Sequence, residues 1–139
     1  MMNKIHRIAF FCFALITVSS DAQWNVREIP DPNLPDIAMV TVLPNGEQVI
    51  IYNPILCQQA GPLLCGFYRA HEYCHIDLGH VFRPTWPQVK ELEADCCAAK
   101  VVTNAEANAA YQWFISGGGT SPTHGFGPQR AQRILACRN

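Results

Sequence analysis

His71, Glu72, Tyr73, Cys74 and His75 form an HExxH pattern, and the spacing acquires a chemical meaning if the segment is helical. Residues four apart on an α-helix lie about 40° apart around its axis, so both imidazoles face one side and can share a metal ion. Glu72, about 100° further round, reaches a metal-bound water rather than the metal. Two histidines and an adjacent carboxylate in this arrangement suit one catalytic Zn2+ ion, with Glu72 as general base for a hydrolytic step. The bland alternative is a pair of helix histidines satisfied by their neighbours, with Glu72 on a solvated face.

Catalytic zinc takes three protein ligands and keeps one position open. Glu91 lies 16 positions after His75, beyond one turn, and Asp95 follows four later, so these carboxylates share a helix face as the histidines do. With Glu91 as third ligand, Asp95 would lie about 6 Å further along the axis. From there it can accept the other ring N–H of a ligand histidine. His71 is the expected partner, because an antiparallel helix returns towards the start of the first. Glu93 is the rival ligand, but it points to the opposite face from Asp95 and would leave that carboxylate without a role.

These residues need helices to carry them. One is predicted over residues 63–79, where Leu64, Phe67, His71, Cys74, His75 and Leu78 recur at helical spacing without an intervening proline. A second is expected over 87–102, with Thr85 and Gln88 spaced as a capping box and Pro87 in the first turn. Thr103 and Glu106 repeat that spacing and introduce a third over 104–116, which Gly117, Gly118 and Gly119 end. After a glycine- and proline-rich loop over 121–127, a short helix is expected over 128–138. Upstream, the β-branched segments 37–43 and 48–52 flank Pro44, Asn45 and Gly46, a hairpin signal. Residues 53–62 read as a loop, and residues 23–36, bearing Pro30, Pro32 and Pro35, as an extended arm that cannot be a helix. The fold class is α+β: a small sheet packed on the HExxH helix and two to three others.

The start of the chain reads as an address. Lys4 and Arg7, an apolar run over 8–18 and the small polar residues Ser19 to Ala22 have the order of a secretion signal covering 1–22. The apolar run is well short of the ~20 residues a membrane span needs. Removal would leave 117 of the 139 residues, enough for one domain over 37–139 preceded by the arm. That chain keeps eight basic and ten acidic side chains, a balance that argues against nucleic-acid or polybasic membrane binding.

Six cysteines remain after such a cleavage, at 57, 65, 74, 96, 97 and 137. An even number in an exported chain points to disulfides. A zinc-cysteine site fits less well, since no CxxC pair occurs and adjacent Cys96 and Cys97 cannot both face one metal from a helix. Of the roughly 15 pairings that six cysteines allow, we expect Cys57 with Cys65, closing a short loop, Cys74 with Cys97, and Cys96 with Cys137.

The HExxH helix followed by a second helix carrying ExxxD, Glu91 to Asp95, resembles the gluzincins, the metallopeptidase clan that includes thermolysin. The likeness sharpens towards the prenyl-protein peptidase family of that clan. Its members often carry a histidine five residues after HExxH, as His80 does, a Glu-Ala-Asp ending to the second motif, as Glu93, Ala94 and Asp95 do, and a later His and Arg, similar to His124 and Arg130. The match runs over about 49–134, and the length resembles the minimal soluble members called minigluzincins. The chain departs from the family in lacking transmembrane helices, in Gly125 after His124 where proline is usual, and in its six cysteines.

The resemblance implies a zincin-like domain with zinc on His71, His75 and Glu91, Glu72 as base, and Asp95 supporting a ligand. It also implies that the strand 48–52 binds extended peptide along its edge. The expected function is therefore a secreted or periplasmic zinc metalloendopeptidase acting on peptide or unfolded protein, monomeric, with His124 or Arg130 stabilising the oxyanion. His80 is expected to cap the helix or support a ligand, and the arm to lie across the cleft and inhibit. Two other classes are a zinc- or peptide-binding module without turnover, and a disulfide-stapled interaction protein.

Overall fold

The computed structural model describes residues 25–138; the expected signal over 1–22 lies outside them. Its element order is β1 (Glu28–Pro30), β2 (Ala38–Val42), β3 (Gln48–Tyr52), α1 (Pro54–Ala60), α2 (Pro62–Asp77), α3 (Pro87–Val101), α4 (Asn104–Ile115) and α5 (Gly127–Arg138). This is a small α+β domain. No helix among the described residues is long and apolar enough to cross a membrane.

The hairpin forms as its turn residues require. β2 and β3 pair antiparallel, Val40 opposite Ile50, and Gly46 takes a positive φ of 86° in the turn between them. The arm does more than extend: its residues 28–30 pair parallel with β3, giving a sheet of order β1-β3-β2. Asn53 ties the arm down by donating from Nδ2 to the carbonyls of Pro32 and Leu34 at 3.1 and 2.8 Å. One expectation is corrected by this topology: β3 is the central strand, so the outer edges of the sheet belong to β1 and β2. Residues 28–30 of the arm form the β1 edge, and Asp36 at the end of the arm lines the cleft.

Residues 53–62 also depart from expectation, because Asn53 and Pro54 start a helix rather than a loop. Asn53 Oδ1 accepts from the backbone of Ile55 and Leu56 at 2.9 and 3.1 Å, and Pro54 sits in the first turn, where a missing N–H costs nothing. The reverse holds at α3: Trp86 is its N-cap and makes no side-chain cap bond, so the capping box expected from Thr85 does not form. Thr103 and Glu106 do form theirs at α4.

α2 is the hub. Leu64, Phe67, Tyr68, Ala70 and Cys74 bury its inner face against Ala94 and Ala98 of α3, Ala107, Ala110 and Phe114 of α4, and Ile134 of α5. The alanines matter because side chains this short let helix axes approach closely, while Phe67 and Tyr68 meet Phe114 edge to face at 5.8 and 6.1 Å. Trp113 is 43% exposed. Its indole N–H donates to Tyr68 Oη at 3.2 Å.

Three disulfides staple this core with the expected pairing. Cys57–Cys65 joins α1 to α2, Cys74–Cys97 joins α2 to α3, and Cys96–Cys137 joins α3 to α5. Adjacent cysteines on α3 thus diverge to opposite neighbours, and α3 is fixed on both sides. In so small a domain each bridge contributes about 2–4 kcal/mol by restricting the unfolded chain.

Candidate metal centre

α2 and α3 bring the sequence-predicted ligands together. His71 Nε2 lies 2.9 Å from Glu91 Oε2, His75 Nε2 lies 3.1 Å from His71 Nε2, and His75 Nε2 lies 3.5 Å from Glu91 Oε2. These three donor atoms form a near-equilateral triangle. A tetrahedral zinc site with bonds of about 2.0–2.1 Å has ligand-to-ligand edges of about 3.3 Å. Each edge of the triangle is within a few tenths of an ångström of that spacing.

The nitrogens on the far side of each ring show why a cation fits. His71 Nδ1 lies 2.9 Å from Asp95 Oδ1, somewhat off the N–H axis. A proton on Nδ1 is stabilised by that carboxylate, which leaves the Nε2 lone pair facing inward. His75 Nδ1 meets His80 Nδ1 at 2.9 Å, and His80 Nε2 meets Glu93 Oε2 at 2.9 Å. Glu93 can only accept, so a neutral His80 carries its proton on Nε2 and accepts at Nδ1 from His75. His75 Nε2 is then also a lone pair, and two imidazole lone pairs and a carboxylate oxygen point at one another. Such a cluster is stable only around a cation. Protons are the alternative, and the His71 pKa shows it: burial lowers it, but hydrogen bonds to Asp95 and Glu91 prevail and push it up to about 10.

Glu91 and Asp95 are both held ionised. Burial opposes this at each, but His124, His71 and His75 hold Glu91 far below the usual carboxylate range, and His71 with Arg130 does the same for Asp95. Glu72 is different. Burial pushes its pKa up, against the pull of His71, His75 and the Val40 N–H, which donates to Glu72 Oε2 at 2.8 Å from the edge strand β2. Glu72 thus combines a raised proton affinity with a fixed orientation. It lines a cleft of about 330 Å³ together with His75, Glu91, His124, Ala38 and Val40.

His124 and Arg130 part company. The loop before α5 places His124 Nε2 3.0 Å from Glu91 Oε2, with Nδ1 2.9 Å from Ser121 Oγ. Two donor groups emerge around the shared histidine: His71, Glu91 and His124, and His71, Glu72 and His75. Arg130 is 1% exposed and does not line the cleft. Its Nε and Nη2 donate to the two Asp95 oxygens, its Nη1 donates to the Gly119 carbonyl at 2.9 Å, and its guanidinium lies 4.1 Å from the Phe114 ring centroid.

Sequence reasoning missed several partners. Arg133 donates to Asp95 Oδ2 at 2.8 Å; Arg69, also without an assigned role, pairs with Glu28 and stacks on Tyr52. Glu93 does point away from the ligand cluster, and the side it faces carries His80 and Arg83. The histidine five residues after HExxH is a signal for that support; its partner has none, since the loop between α2 and α3 sets their meeting. No family model, curated protein or solved structure matches the chain.

Proposed function

We propose that this chain is a secreted zinc metalloendopeptidase of gluzincin type, resembling the prenyl-protein peptidases, that cleaves extended peptide or unfolded protein. The observation that carries the reading is the convergence of His71 Nε2, His75 Nε2 and Glu91 Oε2 beside a cleft that Glu72 also lines. A zinc ion held by these atoms would polarise a peptide carbonyl and bring the pKa of a coordinated water from about 15.7 towards 7. Glu72 is the proton acceptor. Val40 holds its Oε2, leaving Oε1 to take a proton and pass it to the leaving amine. The outer edge of β2, which has no neighbouring strand among the described residues, can hold a substrate backbone by strand addition. His124, which lines the cleft with its Nε2 beside Glu91, would turn that N–H to negative charge developing on the carbonyl oxygen. Arg130 acts through Asp95 as a positioning residue, in place of the oxyanion role expected for it. The signal-like segment over 1–22 and the three disulfides support export to an oxidising compartment.

The test is zinc quantification with casein digestion on the oxidised chain from residue 23, wild type beside Glu72→Gln. One zinc per chain in both, with activity lower in the variant by about 10²–10⁴-fold, is expected. Equal, slow digestion by both zinc-loaded proteins removes the peptidase reading, and absence of zinc removes the metal site.

A second reading rests on the approach of His124 to Glu91. If its Nε2 donates to the metal, four protein ligands close the site and the chain is a zinc-binding module without turnover. His124→Ala separates the two: the peptidase keeps its zinc and loses rate, whereas the closed site loses affinity and has no rate to lose.

A further inference from the structure

The two ligand histidines are held from outside in different ways. His71 leans directly on a carboxylate, Asp95. His75 leans on another imidazole, and that imidazole leans on Glu93. The backbone of His80 is pinned as well: its N–H donates to the His75 carbonyl at 2.9 Å, and its carbonyl accepts from Lys90 Nζ at 2.6 Å. Only 2% of the residue is exposed. Glu93 is steadied by Arg83 Nη1 at 3.0 Å. A ring so fixed has no freedom to release His75 Nδ1.

We infer that Glu93 and His80 form a positioning relay that fixes His75 as an Nε2 donor and sets the metal affinity of the site. The inference rests on the metal-site reading above. The order of protons comes from the chemistry of the groups: Glu93 accepts from His80 Nε2–H, and His80 Nδ1 accepts from His75 Nδ1–H. With His80 neutral, the reverse order would set two lone pairs or two N–H groups face to face at 2.9 Å. Through this chain the negative charge of Glu93 raises the donor strength of His75 and forbids the tautomer that cannot bind. Outer partners of this kind are worth about 10–100-fold in metal affinity. Glu93 therefore has a role in the site without touching the metal or the cleft.

The probe is cobalt(II) alone, titrated into the oxidised metal-free chain and followed by its visible absorption, with zinc competition for the dissociation constant. Glu93 is partly exposed, so Glu93→Ala leaves the core intact. It should weaken binding by about 10-fold or more and alter the cobalt bands, with thermal unfolding of the metal-free protein unchanged. Glu93→Gln keeps an acceptor oxygen and should recover part of the affinity; it also carries the test if the alanine variant does not fold. Arg83→Ala, which loosens Glu93 but leaves its carboxylate on His80, should weaken binding less than Glu93→Ala does. Wild-type affinity and spectrum in both Glu93 variants overturn the relay while leaving the metal site standing, and an equal loss in Arg83→Ala overturns it as well. Failure of the wild-type chain to bind cobalt or zinc overturns the metal site, and the relay with it.

Discussion

Arg130 grips Asp95 through two parallel hydrogen bonds, Nε to Oδ2 at 3.0 Å and Nη2 to Oδ1 at 2.7 Å, inside the helical core. The pair connects α5 to α3 at the carboxylate that supports His71, so core stability and ligand orientation depend on the same contact. Its fork geometry is one that lysine cannot reproduce.

Arg130→Ala leaves Asp95 buried without its bidentate partner, facing only His71 and Arg133. Breaking a buried pair from one side costs about 3–5 kcal/mol, and we expect a loss of that order in urea denaturation of the metal-free chain with its disulfides intact. Arg130→Lys should recover only part. Unchanged stability with impaired turnover would instead return Arg130 to an oxyanion role.

The acid limb of the metal-free protein is set by Asp95 and Glu91. Their pKa values are depressed in the folded state, so their contribution is present above the unfolded values of about 4 and is lost as pH falls below them. Asp95→Asn should flatten that limb in a pH series of thermal unfolding.

His71 controls the alkaline limb. Its folded pKa of about 10 lies above the ordinary value of 6.5, so the stability it contributes is complete below 6.5 and disappears as pH rises to 10. Metal-free protein should lose stability across that window. Zinc needs the unprotonated ring, so its stabilising increment, read as a shift in Tm, should grow over the same range.

Removing Cys74–Cys97 by a double alanine substitution should cost about 2–4 kcal/mol. Because that bridge ties the residue before His75 to the helix carrying Glu91, zinc should also dissociate faster. Removing Cys57–Cys65, which joins α1 to the start of α2, should lower stability and leave zinc dissociation unchanged. Equal acceleration by both changes would show that the bridges act only on global stability.

Val40→Pro deletes the N–H that holds Glu72 Oε2, and proline is tolerated on the open side of an edge strand. We expect full zinc content with a lower kcat, measured on an unstructured protein substrate. Unchanged kcat would mean that Glu72 needs no tether to β2.

The helices from α2 onward, the hairpin turn and the candidate donors His71, His75 and Glu91 are legible in the chain, because each depends on spacing along one local element. A separation of four places two side chains on one helical face, and the Asn45-Gly46 pair makes one turn. Asn53 and Pro54 are equally visible, but such a dipeptide closes a strand or begins a helix depending on the residues after it, and here it begins α1. Which strand is central depends on where residues 28–30 pair, and no local pattern announces a parallel partner so far along the chain. The same holds for the support of the site. Arg130 and Asp95, or Glu93 and His80, meet because packed helices and one loop bring distant residues to hydrogen-bond range, an outcome set by the volumes of the core residues between them. The sequence by itself determined which atoms could hold a metal. The tertiary structure decided which groups aim them, because orientation is a property of neighbours in space rather than of neighbours along the chain.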